Sequence, residues 1–273
     1  MKSKTRFAIL GLAAMAMTLA GEANAASVRT DLGFKSNTLA ANDDLSTGSV
    51  AIGFSANFFG TTYSNLFVNN NGNVTFNGPL GTFTPFNLIS TNTPIIAPFF
   101  ADVDTRGIGS SPVQYGGSTV NGRTAFGVNW VDVGYFANQT NPLNSFQLVM
   151  IDRSDIGAGD FDFEFNYDSI GWEAGSASGG GAGGLGGSSA RAGWSNGVNT
   201  SYEIAGSAVN GAFLDNGPNA LNAINRTGRI VFQVRNGSVT PQPPSVPDGG
   251  STIASLGLAL GALGLARRKF KKA

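Results

Sequence analysis

Two carboxylates that follow an apolar run are the residues best suited to chemistry in this sequence. Asp102 and Asp104 lie two positions apart, directly after residues 95–100, which read Ile-Ile-Ala-Pro-Phe-Phe. On a strand they share one face, and in a loop they can converge on a cation, for which oxygen ligands favour calcium. The alternative, that they cap a turn or pair with Arg106, is favoured because a calcium site needs several convergent groups. Asp102 and Asp104 are therefore candidate cation ligands, with calcium as the candidate ion.

Further carboxylates between residues 152 and 164 offer two other kinds of chemistry. Four aspartates surround a pair of glycines: Asp152, Asp155, Asp160 and Asp162. The stretch lacks the glycine spacing and the terminal glutamate of an EF-hand loop, so it predicts a polar hairpin turn. Four carboxylates are candidates for the catalytic pair that glycoside hydrolysis requires: Asp102, Asp104, Asp162 and Glu164. Acidic residues in alternation are more simply explained as a solvated face, and we predict that the protein is not an enzyme.

The composition removes most other chemistry. The 273 residues include no histidine and no cysteine. This excludes a disulfide framework, a thiolate nucleophile, a Ser-His-Asp triad, and zinc or haem held by histidine. A metal site must therefore be built from oxygen ligands, which favours calcium or magnesium. Hydrophobic residues make up 41 % of the chain, enough to bury a core.

The elements that position the carboxylates have the pattern of strands. Between Asp160 and Asp168 the apolar side chains alternate with polar ones, and the apolar set is Phe161, Phe163, Phe165 and Tyr167. A period of two places one set in the core and the other in water. We expect an acidic ladder on the solvent side, where it would resist edge-to-edge aggregation.

Similar short runs recur along the chain without a convincing amphipathic helix, which is typical of an all-β sandwich or barrel. Asn71-Gly72 lies between two such runs and predicts a hairpin turn. Residues 95–100 are apolar on both faces and predict a buried strand, in which Pro98 indicates an edge or a bulge. Residues 175–187 are rich in glycine and predict a mobile surface loop. The predicted fold is all-β, a single β-sandwich-like domain flanked by an N-terminal signal peptide and a C-terminal membrane-anchor helix.

The N-terminus has the three parts of a secretory signal peptide. Basic residues at positions 2, 4 and 6 precede an apolar stretch over residues 7–20. Ala23 and Ala25 are small residues at the positions that a signal peptidase reads. We therefore predict a signal peptide over residues 1–25, cleaved after Ala25.

The C-terminus has three parts in a fixed order. A Pro-rich linker is predicted over residues 237–246, and the pentapeptide that begins at its last residue is Val246, Pro247, Asp248, Gly249 and Gly250. An apolar run over residues 251–266 precedes a basic stop that begins with Arg267, Arg268 and Lys269. The run is slightly shorter than the usual span of about 20 residues, and the basic cluster fits a cytoplasmic end.

This tail resembles the PEP-CTERM class of bacterial sorting signals, and specifically its VPDSG-type variant. Gly249 stands where that variant often has serine. The resemblance implies processing by an exosortase, a transpeptidase-like membrane enzyme. It assigns residues 247–273 to a sorting signal with a short transmembrane helix and a basic tail. A plain C-terminal anchor helix is the alternative.

Six segments of the central region occur in an order that one family shares: residues 95–107, 130–136, 143–149, 165–172, 192–194 and 228–232. Together they resemble the signature of the NIDO domain, an extracellular module of nidogen and alpha-tectorin. Ile230 departs from the pattern, since the family often has tryptophan there. The signature covers residues 94–235, and we predict a NIDO-like β domain over residues 26–236. The resemblance implies an adhesion or matrix module and provides no catalytic residues.

The charge distribution separates the tails from the domain. Residues 26–246 carry nine basic and 15 acidic side chains, a net charge of −6, which argues against nucleic acid as a partner. The predicted function is that of an exported bacterial cell-surface or extracellular-matrix protein. It would cross the inner membrane, be anchored through its C-terminal helix, and reach the cell surface or the medium after processing. Its expected partners are an exosortase-type enzyme, the membrane, and a matrix polysaccharide or surface protein.

A carbohydrate-binding module is the main alternative. Aromatic side chains that could stack on sugars are Tyr63, Tyr115, Trp172, Trp194 and Tyr202. A β-sandwich core also needs large aromatics, which is the competing explanation for them. A secreted glycoside hydrolase that depends on carboxylates is the third hypothesis.

Overall fold

The computed structural model describes residues 27–241, which form two β-sheets and four short 3-10 helices. The strands are β1 (Asn37–Thr38), β2 (Val50–Phe58), β3 (Thr61–Asn69), β4 (Asn73–Thr75), β5 (Ile95–Phe100), β6 (Val103–Asp104), β7 (Gln114–Val120), β8 (Arg123–Tyr135), β9 (Gln139–Asp152), β10 (Phe161–Ser169), β11 (Arg191–Ser195), β12 (Ser201–Glu203), β13 (Arg229–Arg235) and β14 (Ser238–Pro241). The 3-10 helices are Thr30–Leu32, Leu88–Thr91, Ser176–Ser178 and Leu221–Arg226.

Both sheets are built from antiparallel pairs. The larger sheet has the order β1-β7-β8-β9-β10-β13-β14, with β6 paired to β8, and the smaller has the order β12-β11-β5-β4-β3-β2. Apolar side chains from both sheets meet in one cluster, which is the core of a sandwich-like fold. The predicted all-β class is confirmed.

Two of the flanking predictions concern residues outside this region. The predicted signal peptide, with Ala23 and Ala25, and the sorting tail, with its motif and basic stop, lie outside the described residues. Within residues 27–241, no helix is long and apolar enough to cross a membrane.

The alternation in β10 places its aromatic side chains in the core. Phe161, Phe163 and Phe165 are fully buried, and Phe163 stacks on Phe232 of β13 with ring centroids 4.8 Å apart. Trp130 of β8 stacks in the same way on a neighbouring phenylalanine of β9. The inward set predicted from the period of two is therefore confirmed.

The polar face of β10 does not face water, which corrects the solvated-ladder prediction. Asp162 is 8 % exposed and Glu164 is 5 % exposed. Arginine side chains cover both carboxylates. Arg153 and Arg235 lie 2.7 Å and 2.6 Å from the two carboxylate oxygens of Asp162, and Arg29 lies 3.3 Å from Glu164. The alternation of apolar and polar residues correctly identifies the two faces of β10. It cannot show which side chains from other segments pack against the outer face.

Residues 27–34, which we call the strap, cover part of the outer face of the large sheet. Phe34 is buried with Val120, Val149 and Ile151 in a second apolar cluster on the far side of the large sheet. A Cβ added to Gly127 would lie 2.3 Å from the ring of Phe34, so the ring rests directly on the strand backbone. The large sheet is consequently covered on part of both faces.

Strand β5 is buried along its whole length, as predicted. It pairs with β4 on one side and β11 on the other, so Pro98 is not on an edge strand. The register with β11 shifts between Arg191 and Gly193, opposite Pro98 and Phe99. Proline is accommodated by a bulge, because its nitrogen has no hydrogen to donate to the neighbouring strand.

The Asn-Gly turn joins β3 to β4, with Asn69 opposite Asn73. Gly72 has φ of +73°, and a Cβ there would lie 1.8 Å from the carbonyl oxygen of Phe99. Only glycine satisfies both constraints without strain. The predicted hairpin turn is confirmed, and it packs tightly against β5.

Two further segments differ from their predicted character. The glycine-rich stretch 175–187 packs against the domain, since Ser178 is 6 % exposed and a Cβ on Gly184 would lie 2.5 Å from Trp172. The region predicted as a linker from residue 237 begins inside the sheet, because β14 pairs with β13 as far as Pro241.

A buried carboxylate holds the loop before the last 3-10 helix. Glu173 is fully buried, and its two oxygens accept hydrogen bonds of 2.7 Å from the backbone N–H groups of Gly211 and Phe213. Burial raises the pKa of Glu173, although these two bonds oppose the rise. The side chain therefore fixes a turn at an electrostatic cost.

Candidate cation site

The two predicted cation ligands, Asp102 and Asp104, contact different groups in the structure. Asp104 is in β6 and forms a two-point pair with Arg106, whose Nε and Nη2 lie 2.9 Å and 2.7 Å from its oxygens. Its Oδ2 also accepts a 2.9 Å bond from the backbone N–H of Asn138. Asp104 thus follows the alternative interpretation, a pair with Arg106.

Asp102 instead faces two aspartates that the sequence did not single out. It lies in the connection between β5 and β6 and is 1 % exposed. Carboxylate oxygens of Asp43, Asp44 and Asp102 all lie within 4.8 Å of one another. We call these three residues the Asp triad.

The Asn-Gly turn holds the chain segments that carry the Asp triad. Asn70 donates through Nδ2 to the carbonyl oxygens of Asp43 and Val103, which joins the segment before β2 to β6. Asn71 accepts a 2.9 Å bond from the backbone N–H of Val103 and donates a 2.8 Å bond to Oδ1 of Asp44. Both asparagines are 1 % exposed, so these bonds are made away from water.

Two further loops close around Asp102. Ser178 Oγ lies 3.4 Å from Oδ2 of Asp102 and donates a 3.4 Å bond to the carbonyl oxygen of Phe83. A Cβ on Gly175 would lie 2.3 Å from the same Asp102 oxygen, so only glycine permits this approach. The glycine-rich segment therefore packs over Asp102.

Electrostatics in the Asp triad disfavour three negative charges. Burial, together with the charges of Asp43 and Asp44, raises the pKa of Asp102 to about 7. Burial and the neighbouring Asp44 and Asp104 raise the pKa of Asp43 to about 6, although Arg106 opposes the rise. Burial also works against ionisation of Asp104, but its bonds from Arg106 and Asn138 prevail and lower its pKa.

The four carboxylates considered for glycoside hydrolysis form two groups far apart. Asp162 lies level with Ala125 across β9, whereas Asp104 pairs with Gly134 at the other end of β8. Nine residues of strand correspond to roughly 30 Å. A glycosidase pair needs separations of about 5 to 9.5 Å, so no such pair joins the two groups.

The cleft beside Asp162 and Glu164 is small and already charged on both sides. Its volume is about 170 Å³, and its lining includes Arg29, Arg123 and Arg153. Since Asp162 and Glu164 are paired with arginines, the cleft is a network of ion pairs across the strap and the large sheet.

The aromatic residues considered for sugar stacking belong to the core. Trp172 is fully buried and Trp194 is 5 % exposed. The three tyrosines of that set are partly buried and pack against the same core cluster: Tyr63, Tyr115 and Tyr202. Aromatic packing therefore accounts for these side chains, and they form no stacking platform.

Sequence reasoning missed Asp43 and Asp44 because their partner is distant in the chain. A local signal was present, since two adjacent carboxylates follow Asn42 in a stretch of turn-forming residues. Asn71 was identified with the hairpin turn, but neither it nor its neighbour Asn70 was identified as a side chain that holds the site.

Comparisons with known proteins give two regional matches. The profile of the nidogen-like domain matches residues 64–236, and that of the VPDSG-CTERM motif matches residues 245–270. Alpha-tectorin from Mus musculus is 32 % identical over 228 residues, which is 73 % of this chain and 10 % of that protein. Nidogen from Drosophila melanogaster is 30 % identical over 118 residues, which is 34 % of this chain and 8 % of that protein.

The human alpha-tectorin gives a similar result, with 31 % identity over 230 residues. The chain spans about one tenth of the length of the alpha-tectorins it matches. No solved structure matches it.

Proposed function

Because the chain belongs to the family of nidogen-like domains, we propose that it is an exported bacterial surface or matrix protein without catalytic function. Its domain would mediate adhesion or associate with exopolysaccharide. The observation that carries this proposal is the order of two regions in one chain, with the nidogen-like domain at 64–236 followed by the sorting motif at 245–270. We propose the boundaries 1–25 for the signal peptide, 26–241 for the domain, because β14 extends to Pro241, 242–246 for the linker and 247–273 for the sorting signal.

The arrangement of charged groups supports a binding role over a catalytic one. Asp162 and Glu164 are covered and paired with arginines, and they lie far from the Asp triad. The chain also lacks the histidine and cysteine that many nucleophilic mechanisms use. The net charge of −6 over residues 26–246 favours solubility and contact with anionic polymers through bridging cations.

The proposed route has a sorting step that can be tested alone. After export, the tail would hold the chain in the inner membrane until an exosortase-type enzyme processes it near Pro247 and Asp248. Intact mass measured on the mature protein decides this, and we expect loss of residues 251–273 in cells that contain the enzyme. Deleting the exosortase gene should preserve the full mass. Mature chains that keep residues 251–273 in the presence of the enzyme would support simple anchoring.

Adhesion is tested separately from sorting. A glycan array probed with residues 26–241 separates the alternatives. Selective binding to defined sugars would favour a carbohydrate-binding module, and binding to matrix protein alone would favour protein adhesion.

A further inference from the structure

The Asp triad has more negative charge than the protein around it neutralises. Within residues 27–241, Arg106 is the one cation paired with it, at 3.0 Å from Oδ2 of Asp43. That guanidinium also makes the two-point pair with Asp104, so its charge is shared. Three carboxylates therefore share less than one counter-charge.

Two oxygens of the Asp triad lack a hydrogen-bond partner among residues 27–241. Oδ1 of Asp102 and Oδ1 of Asp43 are buried and accept no hydrogen bond from the described part of the chain. Asp102 is only 1 % exposed, so water does not reach its carboxylate. A buried carboxylate oxygen without a donor or a cation is costly, so native proteins nearly always satisfy such atoms.

The geometry of the Asp triad is that of ligands around one ion. Calcium binds oxygen at about 2.4 Å, so two of its ligands can be no more than about 4.8 Å apart. The oxygens of Asp43, Asp44 and Asp102 all meet this limit, at 4.8 Å or less. The buried oxygen of Asp102 that lacks a hydrogen-bond donor belongs to the same group of three carboxylates, so a bound cation would satisfy it.

Two backbone carbonyl oxygens each share a hydrogen-bonding side chain with the Asp triad. Asn71 Nδ2 donates both to Asp44 and, at 3.3 Å, to the carbonyl oxygen of Thr82. Ser178 Oγ likewise lies between Asp102 and the carbonyl oxygen of Phe83. Carboxylates with backbone carbonyls nearby suit calcium, whereas magnesium demands a near-ideal octahedron and keeps several waters.

We propose that Asp43, Asp44 and Asp102 bind one calcium ion. The ion would join the segment before β2, the β5–β6 connection and, through Ser178, the glycine-rich loop. Its role would be to complete the charge balance of the domain, and the proposal does not depend on the ligand that the domain recognises.

The test uses the full chain, purified in mild detergent, treated with a chelator and desalted. Titration with calcium chloride in a calorimeter should give one site per chain, with a dissociation constant of about 0.1–1 mM, the range of extracellular calcium modules. Calcium in about tenfold excess over that constant should raise the midpoint of thermal unfolding by about 4 °C. No heat of binding at millimolar calcium, or equal affinity for magnesium, would overturn the proposal.

Two variants and one control locate the ion. Asp102→Asn should weaken calcium binding at least about tenfold and remove the thermal shift, while unfolding no earlier than the wild type in chelator. Asp44→Asn, at a more exposed position, decides the question if Asp102→Asn does not fold. The control is Asp31→Asn, an exposed carboxylate outside the Asp triad, which should bind calcium as the wild type does. Unchanged binding in both triad variants would overturn the assignment.

Discussion

Asp162 provides the sharpest test of whether the outer face of β10 is a solvated surface or a buried ion-pair network. Its carboxylate lies 2.7 Å from Nη1 of Arg153 and 2.6 Å from Nη2 of Arg235. The perturbation is Asp162→Ala, which removes the carboxylate and leaves both guanidinium groups in place.

The expected loss follows from the burial of the three side chains. The Asp162 side chain is 11 % exposed, and those of Arg153 and Arg235 are 21 % and 23 % exposed. Removing one member of a buried ion pair costs about 3–5 kcal/mol. The arginines retain some solvent, and Arg153 keeps its contact with Asp155, so we expect the free energy of unfolding to fall by about 2–3 kcal/mol. A solvated ladder would predict a change of no more than about 0.5 kcal/mol.

Chemical denaturation followed by tryptophan fluorescence measures this loss, because all three tryptophans are buried. The matched control is Asp31→Ala, which removes an exposed carboxylate on the strap and should change the midpoint little. A second variant, Asp162→Asn, keeps the shape and removes the charge, and it should fall between the two. An Asp162→Ala protein as stable as the control would refute the network and restore the solvated ladder.

Two further substitutions test local features of the fold. Gly72→Ala should lower the free energy of unfolding by more than about 2 kcal/mol in chemical denaturation, because its backbone is left-handed and the methyl group would meet a β5 carbonyl. Gly78→Ala, with open space at its Cβ, is the control, and equal losses would contradict the proposed close approach. Glu173→Gln should cost about 1–3 kcal/mol, since an amide has one acceptor oxygen for two N–H groups. The pKa of Glu173 is raised in the folded state. Its contribution to the free energy of unfolding is therefore fully present below the ordinary pKa of 4.5 and is lost as the pH rises through the pKa of the folded state. Chemical denaturation at several pH values should therefore show that the stability advantage of the wild type over the variant declines as pH rises from 4.5 through the folded-state pKa. A stability difference that does not change with pH would contradict the raised pKa.

Local patterns were sufficient to predict much of the fold. The period of two in β10 identified the buried aromatic set, and Asn71-Gly72 identified a hairpin turn that the structure contains. These predictions succeed because alternation and turn chemistry depend on residues close in sequence. Pro98 was limited to an edge or a bulge for the same reason, and the bulge is what the sheet contains.

Local sequence patterns did not predict which side chains cover the outer face of the large sheet. Arg29 reaches Glu164 from more than a hundred residues away, and no local period reports such a contact. Likewise, Asp102 was identified from its position after a buried strand, but Asp43 and Asp44 join it only because the Asn-Gly turn brings their segment to β6. A site assembled from distant segments requires the topology before its residues can be grouped.

The last strand of the described region, β14, is a short strand at the edge of the larger sheet. The chain leaves the sheet through β14, whose four residues pair with β13 from Ser238 opposite Arg235 to Pro241 opposite Phe232. A domain that is tethered by its C-terminal tail and pulled through its ligand would carry the load on this short edge strand. Because the tail continues from Pro241, tension would break the β13–β14 pairing from the Pro241 end, one residue pair after another. The longer central strands would bear load only after that. Peeling would leave β13 as a bare edge with unpaired backbone groups, a surface to which another extended chain can add.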